Sequence, residues 1–172
     1  MQLAVSAVGL DRPGIVAAIS RVLLEHDGNI EDSRMALLGG HFAVMLIVEV
    51  PDDTDPVAVE ESVLSATAGM DLVVTVRPVA HAASDHLEGT PYVLTVYGAD
   101  RPGIVADVTG ALARWDVNVT DLATHVLEGK IYVMIIEVSL PAGTVPGKVE
   151  RALRDAASGV DLSFHPVEAE TL

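Results

Sequence analysis

The sequence predicts an α+β protein made of two copies of one β-α-β-β-α-β unit, each an antiparallel sheet with helices on one face. The heptapeptide Asp11-Arg12-Pro13-Gly14-Ile15-Val16-Ala17 recurs unchanged as Asp100-Arg101-Pro102-Gly103-Ile104-Val105-Ala106. The register of that repeat then holds along the chain: Asn29 meets Asn118, Asp32 meets Asp121, Gly40 meets Gly129 and Val44-Met45 meets Val133-Met134. Beyond it, with one residue more, Gly69 meets Gly159 and Asp71-Leu72 meets Asp161-Leu162. Self-similarity of this length marks a duplicated unit. The composition supplies the core, since 50% of residues are hydrophobic and only 3% aromatic, leaving Val, Ile, Leu and Ala to fill it.

Each half opens with a strand, Leu3 to Val8 and Tyr92 to Tyr97, ending at Gly9 and Gly98. A helix is expected from Pro13 and from Pro102, because proline suits a first turn whose N–H has no partner to lose. Its apolar face is read as Ile15, Val16, Ile19, Val22 and Leu23, and in the second copy as Ile104, Val105, Val108, Leu112 and Trp115. Asp27-Gly28-Asn29 and Asp116-Val117-Asn118 end these helices. Two strands follow, Ile30–Leu38 and Phe42–Val50 around Gly39-Gly40, then Val119–Leu127 and Ile131–Leu140 around Glu128-Gly129.

A second helix starts near Asp55-Pro56, an N-cap before a first-turn proline, with a stripe at Val59, Val63 and Leu64. Its counterpart carries Val149, Ala152, Leu153 and Ala156. Leu72–Val76 and Leu162–Val167 are the last strands. This order is the split βαβ arrangement of ferredoxin-like folds. The units are placed at 1–80 and 91–172, with a linker over 81–90 that is rich in small and polar residues. Phe42–Val48 and Ile131–Ile136 do not alternate. Either they are central strands between long neighbours, or the open face of the sheet packs on another sheet.

The totals bear on function. Ten basic against 25 acidic residues give a net charge of -15, with no Lys/Arg cluster, which argues against direct nucleic-acid binding. An RNA-binding sheet would also need exposed aromatics, and these central strands offer Phe42 and Tyr132 alone. Without cysteine there is no disulfide, thiol nucleophile or Cys-ligated zinc. The N-terminus lacks a signal-peptide pattern, and no apolar run is long enough to span a bilayer. A cytoplasmic protein without membrane contact is expected. No metal or cofactor is expected either: His81, Asp85 and His86 lack a third ligand at sensible spacing, and His26, His41, His125 and His165 are scattered. Neither a phosphate-loop nor a nucleophile-elbow pattern occurs, so no catalytic residue is assigned.

What remains is the duplicated turn. A strand passing through Asp-Arg-Pro-Gly into a helix offers free backbone N–H groups and the positive end of the helix dipole to a small anion. Gly14 and Gly103 allow close approach to the backbone, and Asp11 and Asp100 beside them could take an ammonium group. One turn would then read both ends of an amino acid. The plainer reading has Asp as an N-cap and Pro and Gly as ordinary turn residues. Arg12 and Arg101 are surface ion-pair residues or carboxylate clamps. Asn29 and Asn118 are residues tolerating a left-handed conformation after a helix, or part of the site.

These turns, with Asn29-Ile30-Glu31-Asp32-Ser33-Arg34 opening the second strand, resemble the ACT domain, a βαββαβ regulatory module that commonly binds amino acids. The tandem layout is similar to the glycine cleavage system transcriptional repressor type. The resemblance covers the whole chain, although Asn118-Val119-Thr120-Asp121-Leu122 departs from the first copy. It implies a ligand between the turn and the second-strand region of a paired domain. The candidate set is therefore Asp11, Arg12, Pro13, Gly14, Ile15, Asn29 and Ile30, with Asp100, Arg101, Pro102, Gly103, Ile104, Asn118 and Val119. It further implies a non-enzymatic homodimer responsive to an amino acid, acting through a regulatory protein partner in transcriptional control of amino-acid metabolism. The alternative is an oligomerisation module without a ligand. Related domains also sit beside enzymes, but the two repeats use all 172 residues.

Overall fold

Leu3, Val5 and Ala7 are fully buried along the first strand, while Ala4 and Ser6 between them are not, so one face of the sheet is covered and one is open. The computed structural model describes residues 1–80, 89–128 and 130–167. They fall into two compact units, Met1–Ala83 and Ser84–Leu172.

The first unit contains β1 (Gln2–Leu10), α1 (Ile15–Glu25), β2 (Asn29–Leu38), β3 (His41–Glu49), α2 (Pro56–Ala66) and β4 (Leu72–Val79). Its sheet runs β2-β3-β1-β4 with every neighbour antiparallel. The second contains β5 (Gly89–Ala99), α3 (Ile104–Ala113), β6 (Asn118–Leu127), β7 (Ile131–Pro141), α4 (Pro146–Ala156) and β8 (Val160–Pro166), in the order β6-β7-β5-β8. Both are tandem copies of the expected β-α-β-β-α-β order with ferredoxin-like topology. Most of the expected linker, residues 81–88, lies outside the described residues. Gly89 and Thr90 already belong to β5, paired with Pro141 and Leu140.

Each unit has its own core. Leu3, Val5, Ile15, Ile19, Leu23, Phe42, Val48, Val59 and Val63 build the first; Leu94, Val96, Ile104, Val108, Leu112, Met134, Ile136, Val149 and Leu153 build the second. Three residues assigned to apolar helix faces are instead solvated: Val16 is 47% exposed, Val105 39% and Leu64 42%. Each directly follows a buried residue, and one step along a helix turns a side chain by about 100° away from the core.

The helices begin later than their prolines suggest. Gly14 and Gly103 are the N-caps, both at φ 95°, and no side chain bonds to the helix start in either place. Pro13-Gly14 and Pro102-Gly103 therefore occupy the middle of a tight turn, with glycine in the left-handed conformation that the third residue of a type II turn demands. At the other end Asp27 (φ 54°) and Asp116 (φ 52°) take the left-handed position, not the asparagines. The amides of Gly28 and Val117 reach back to the carbonyls of Leu23 and Leu112, the closing bond of a Schellman motif. Asn29 and Asn118 are the first residues of β2 and β6.

The burial of Phe42–Val48 does alternate, and both β3 and β7 are central strands. The open face carries exposed apolar side chains nonetheless: Met45, opposite Ser6, and the paired Val8 and Val73 are 54%, 49% and 73% exposed.

The repeat register shifts by one residue at the second hairpin. In the first hairpin Leu38 pairs with His41, leaving the two-residue loop Gly39-Gly40; in the second, Leu127 pairs with Ile131, leaving three residues. The extra residue enters here, before the Val-Met dipeptides. Gly9 consequently faces Phe42 and Gly98 faces Tyr132, so the structural partner of Val44 is Met134. Gly129 lies outside the described residues.

Candidate ligand-binding turns

Each duplicated turn joins the end of the first strand of its unit to a helix. The Asp11 amide donates to the Gly40 carbonyl at 3.1 Å, and the Asp100 amide to that of Lys130 at 2.9 Å, so the tip of the hairpin anchors the turn. The first intrahelical bonds run from Ala18 to Gly14 and from Asp107 to Gly103, at 2.9 and 2.8 Å. The amides of Ile15, Val16 and Ala17, and of Ile104, Val105 and Ala106, precede those bonds. They are the unsatisfied donors of a helix start. Asp11 and Asp100 leave them uncapped, contrary to the plainer reading of these residues.

Arg12 donates from Nη1 to the Gly69 carbonyl at 3.1 Å, lashing the turn to the loop before β4. Arg101 donates from Nη2 to the Ser158 carbonyl at 3.3 Å and also pairs with the Asp107 carboxylate, 3.1 Å from each terminal nitrogen. Both partners of that pair are more than a third exposed, so its contribution to stability is small.

In the second unit a cavity of about 270 Å³ opens at the turn, lined by Arg101, Gly103, Ile104, Val105, Ala106 and Tyr132. From sequence, Tyr132 is only a strand aromatic. Its placement under the turn follows from the longer hairpin, which sequence spacing alone did not reveal. The side chain is 8% exposed, and burial pushes its hydroxyl above the usual phenol range; a hydrogen bond with Thr124 opposes the shift, and the charge of Asp100 adds to it. Phe42 stands in the same place in the first unit, without the hydroxyl.

Asn29 and Ile30 are at the far end of the sheet. Asn29 pairs with Glu49, whereas the turn lies beside His41, eight residues back along β3 and about 27 Å away at the rise of a strand. Asn118 and Val119 pair with Ser139 and Val138 and are equally remote from their own turn. A bulge at Glu31 and another at Thr120 interrupt pairing just beyond these residues. No unit brings both parts of the candidate set to one small ligand by itself.

Among the described residues no three His, Cys, Asp or Glu side chains gather as a metal site. His81, Asp85 and His86 lie outside those residues. His26 hydrogen-bonds Ser62 at 3.1 Å, and His41 lies 3.3 Å from the Gly39 carbonyl. Among the same residues, no helix is long and apolar enough to cross a membrane.

Comparison with known proteins agrees with this architecture. The family model described as the ACT domain matches twice, over residues 1–77 and 90–166. The glycine cleavage system transcriptional repressor of Escherichia coli (strain K12) is 28% identical over 124 residues, 72% of this chain and 64% of that protein. The curated relatives compared are covered over 37% to 64% of their own length. Among solved structures, an unknown protein from Galdieria sulphuraria is 31% identical with a TM-score of 0.81, covering 97% of this chain and 98% of that one. A candidate glycine cleavage system transcriptional repressor, 23% identical, superposes with a TM-score of 0.74 over 97% of both chains and supports the fold. The chain belongs to the ACT domain family and carries two copies of that domain in tandem.

Proposed function

We propose that this chain is a non-enzymatic regulator that responds to an amino acid and acts, as a homodimer, through a regulatory protein partner in the control of glycine metabolism. The observation that carries it is the pair of uncapped helix starts behind a left-handed glycine, built from one heptapeptide kept identical in both units. Capping alone would tolerate several residue types. The amino-acid carboxylate would accept from the free amides of Ile15–Ala17 or Ile104–Ala106, and the ammonium group would meet Asp11 or Asp100. Asn29, Ile30, Asn118 and Val119 would contribute only from a paired domain, since they lie at the other end of their own sheets. Action through a protein fits a chain with a net charge of -15. The likeness to the Escherichia coli repressor supports the link to glycine cleavage.

A thermal-shift series over the common amino acids tests this. A ligand at about 100 times its dissociation constant stabilises the fold by about 2.7 kcal/mol. A flat response to every amino acid removes the sensing role. That result would favour the second reading, a ligand-free association module, for which the exposed Val8, Met45 and Val73 on the open sheet face speak.

A further inference from the structure

The helix layers of the two units carry matching clefts of opposite charge. In the first, a cleft of about 510 Å³ lies between α1 and α2, and Glu25 and Glu61 line it. In the second, a cleft of about 570 Å³ lies between the end of α3 and α4, lined by Lys148 and Arg151. The repeat register makes the correspondence position by position. Gly14 matches Gly103 ahead of the first helices, which sets Glu25 against Arg114; Pro56 matches Pro146 at the start of the second helices, which sets Glu61 against Arg151 and Ala58 against Lys148. Two glutamates in one copy are arginines in the other, and an alanine is a lysine. All five charged side chains are exposed, and among the described residues no carboxylate–cation pair occupies any of them.

The opposing charges do not cancel the contrast. Asp155 also lines the second cleft, while Arg154 is held by Glu150 at 2.7 Å. Ten basic residues serve the whole 172-residue chain; two of them line this cleft, and Arg114 directly precedes Trp115 in its lining. Exposed apolar side chains accompany these charges: Leu24 at 71% beside Glu25, Val57 at 62% one helical turn before Glu61, and Val145 at 52% in the lining of the second cleft.

We propose that these clefts are the two halves of an interface between copies of this chain, the acidic α1/α2 cleft of one copy seating the basic α3/α4 cleft of the other. A twofold arrangement makes the contact twice, because each copy holds one cleft of each kind. Charge complementarity of this sort fixes register and partner choice, and the neighbouring apolar side chains supply buried area. The net charge of -15 on each copy does not prevent it. At physiological salt, charges beyond about 8 Å are screened while pairs in contact are not. This surface is independent of the turns and of their ligand.

Sedimentation at physiological salt tests the interface with the whole chain, with circular dichroism to verify folding. Wild type is expected to be a dimer at tens of micromolar. Glu61→Arg and Arg151→Glu should each weaken it about tenfold or more, and the double exchange should restore it, because both contacts regain opposite charges. Lys148→Glu should weaken it in the same direction. A monomeric wild type overturns the proposal, as does a dimer that ignores the single reversals or a double exchange no better than either single one. A monomer whose Trp115 fluorescence responds to inorganic phosphate overturns it in favour of a small-anion site. An amino-acid response in a monomer would also sink the interface while leaving the ligand reading standing.

Discussion

The Asp107 carboxylate lies 3.1 Å from both terminal nitrogens of Arg101, and Ala18 occupies the matching position in the first unit. Two turns of identical sequence thus differ in charge. In the second, Arg101 Nη1 and Asp107 Oδ2 lie 3.8 and 3.9 Å from where a Cβ on Gly103 would stand, so the arginine beside the helix start is already paired. An incoming carboxylate competes with Asp107 for that arginine only in the second unit.

Asp107→Ala should therefore raise the affinity of the second turn for a carboxylate ligand and leave the first unchanged. Calorimetric titration of wild type and variant gives the comparison. Because the ion pair is half-exposed, the same substitution should alter unfolding free energy by less than about 1 kcal/mol.

Gly14→Ala and Gly103→Ala probe the turns themselves. A Cβ on Gly14 meets nothing within 4 Å, so the whole cost is conformational, arising from a φ of 95°. A loss of about 1–2 kcal/mol per site is expected in urea unfolding. No loss would mean the turn had moved to another conformation.

Met45 and Met134 belong to the same Val-Met dipeptide and lie on opposite faces of their sheets, at 54% and 0% exposure. Met134→Ala should cost about 2–5 kcal/mol. Met45→Ala should stay within about 0.5 kcal/mol in an isolated chain. Equal losses at the two positions would contradict the shifted register.

Tyr132 gives a pH dependence with a definite sign. Its hydroxyl is raised above the ordinary value of 10.0, so the folded state favours the neutral phenol. That contribution is complete below pH 10.0 and is lost as the pH climbs through the higher folded value. Melting curves of wild type and Tyr132→Phe should converge or cross above that point, the variant lacking this one titration. Parallel curves from neutral to strongly alkaline pH would refute the assignment.

Duplication, element order and the two turns were legible in the chain because each rests on local rules. Periodicity separates helix from strand, glycine and proline mark turns, and an exact heptapeptide repeat has no other simple source. Those rules act over a few residues. Whether Pro13 lies in the helix or before it depended on the left-handed Gly14, and the uncapped amides followed from that. A single added residue in the second hairpin moved Tyr132 under its turn and turned Met134 inward, since strand side chains alternate with a period of two and one step reverses every face. Asn29 stands 15 residues beyond Gly14 in the chain, yet α1 carries it to the opposite end of the sheet, because a helix running back along the strands exchanges one end for the other. Residue patterns announce a site; the path of the backbone determines which of its residues can meet.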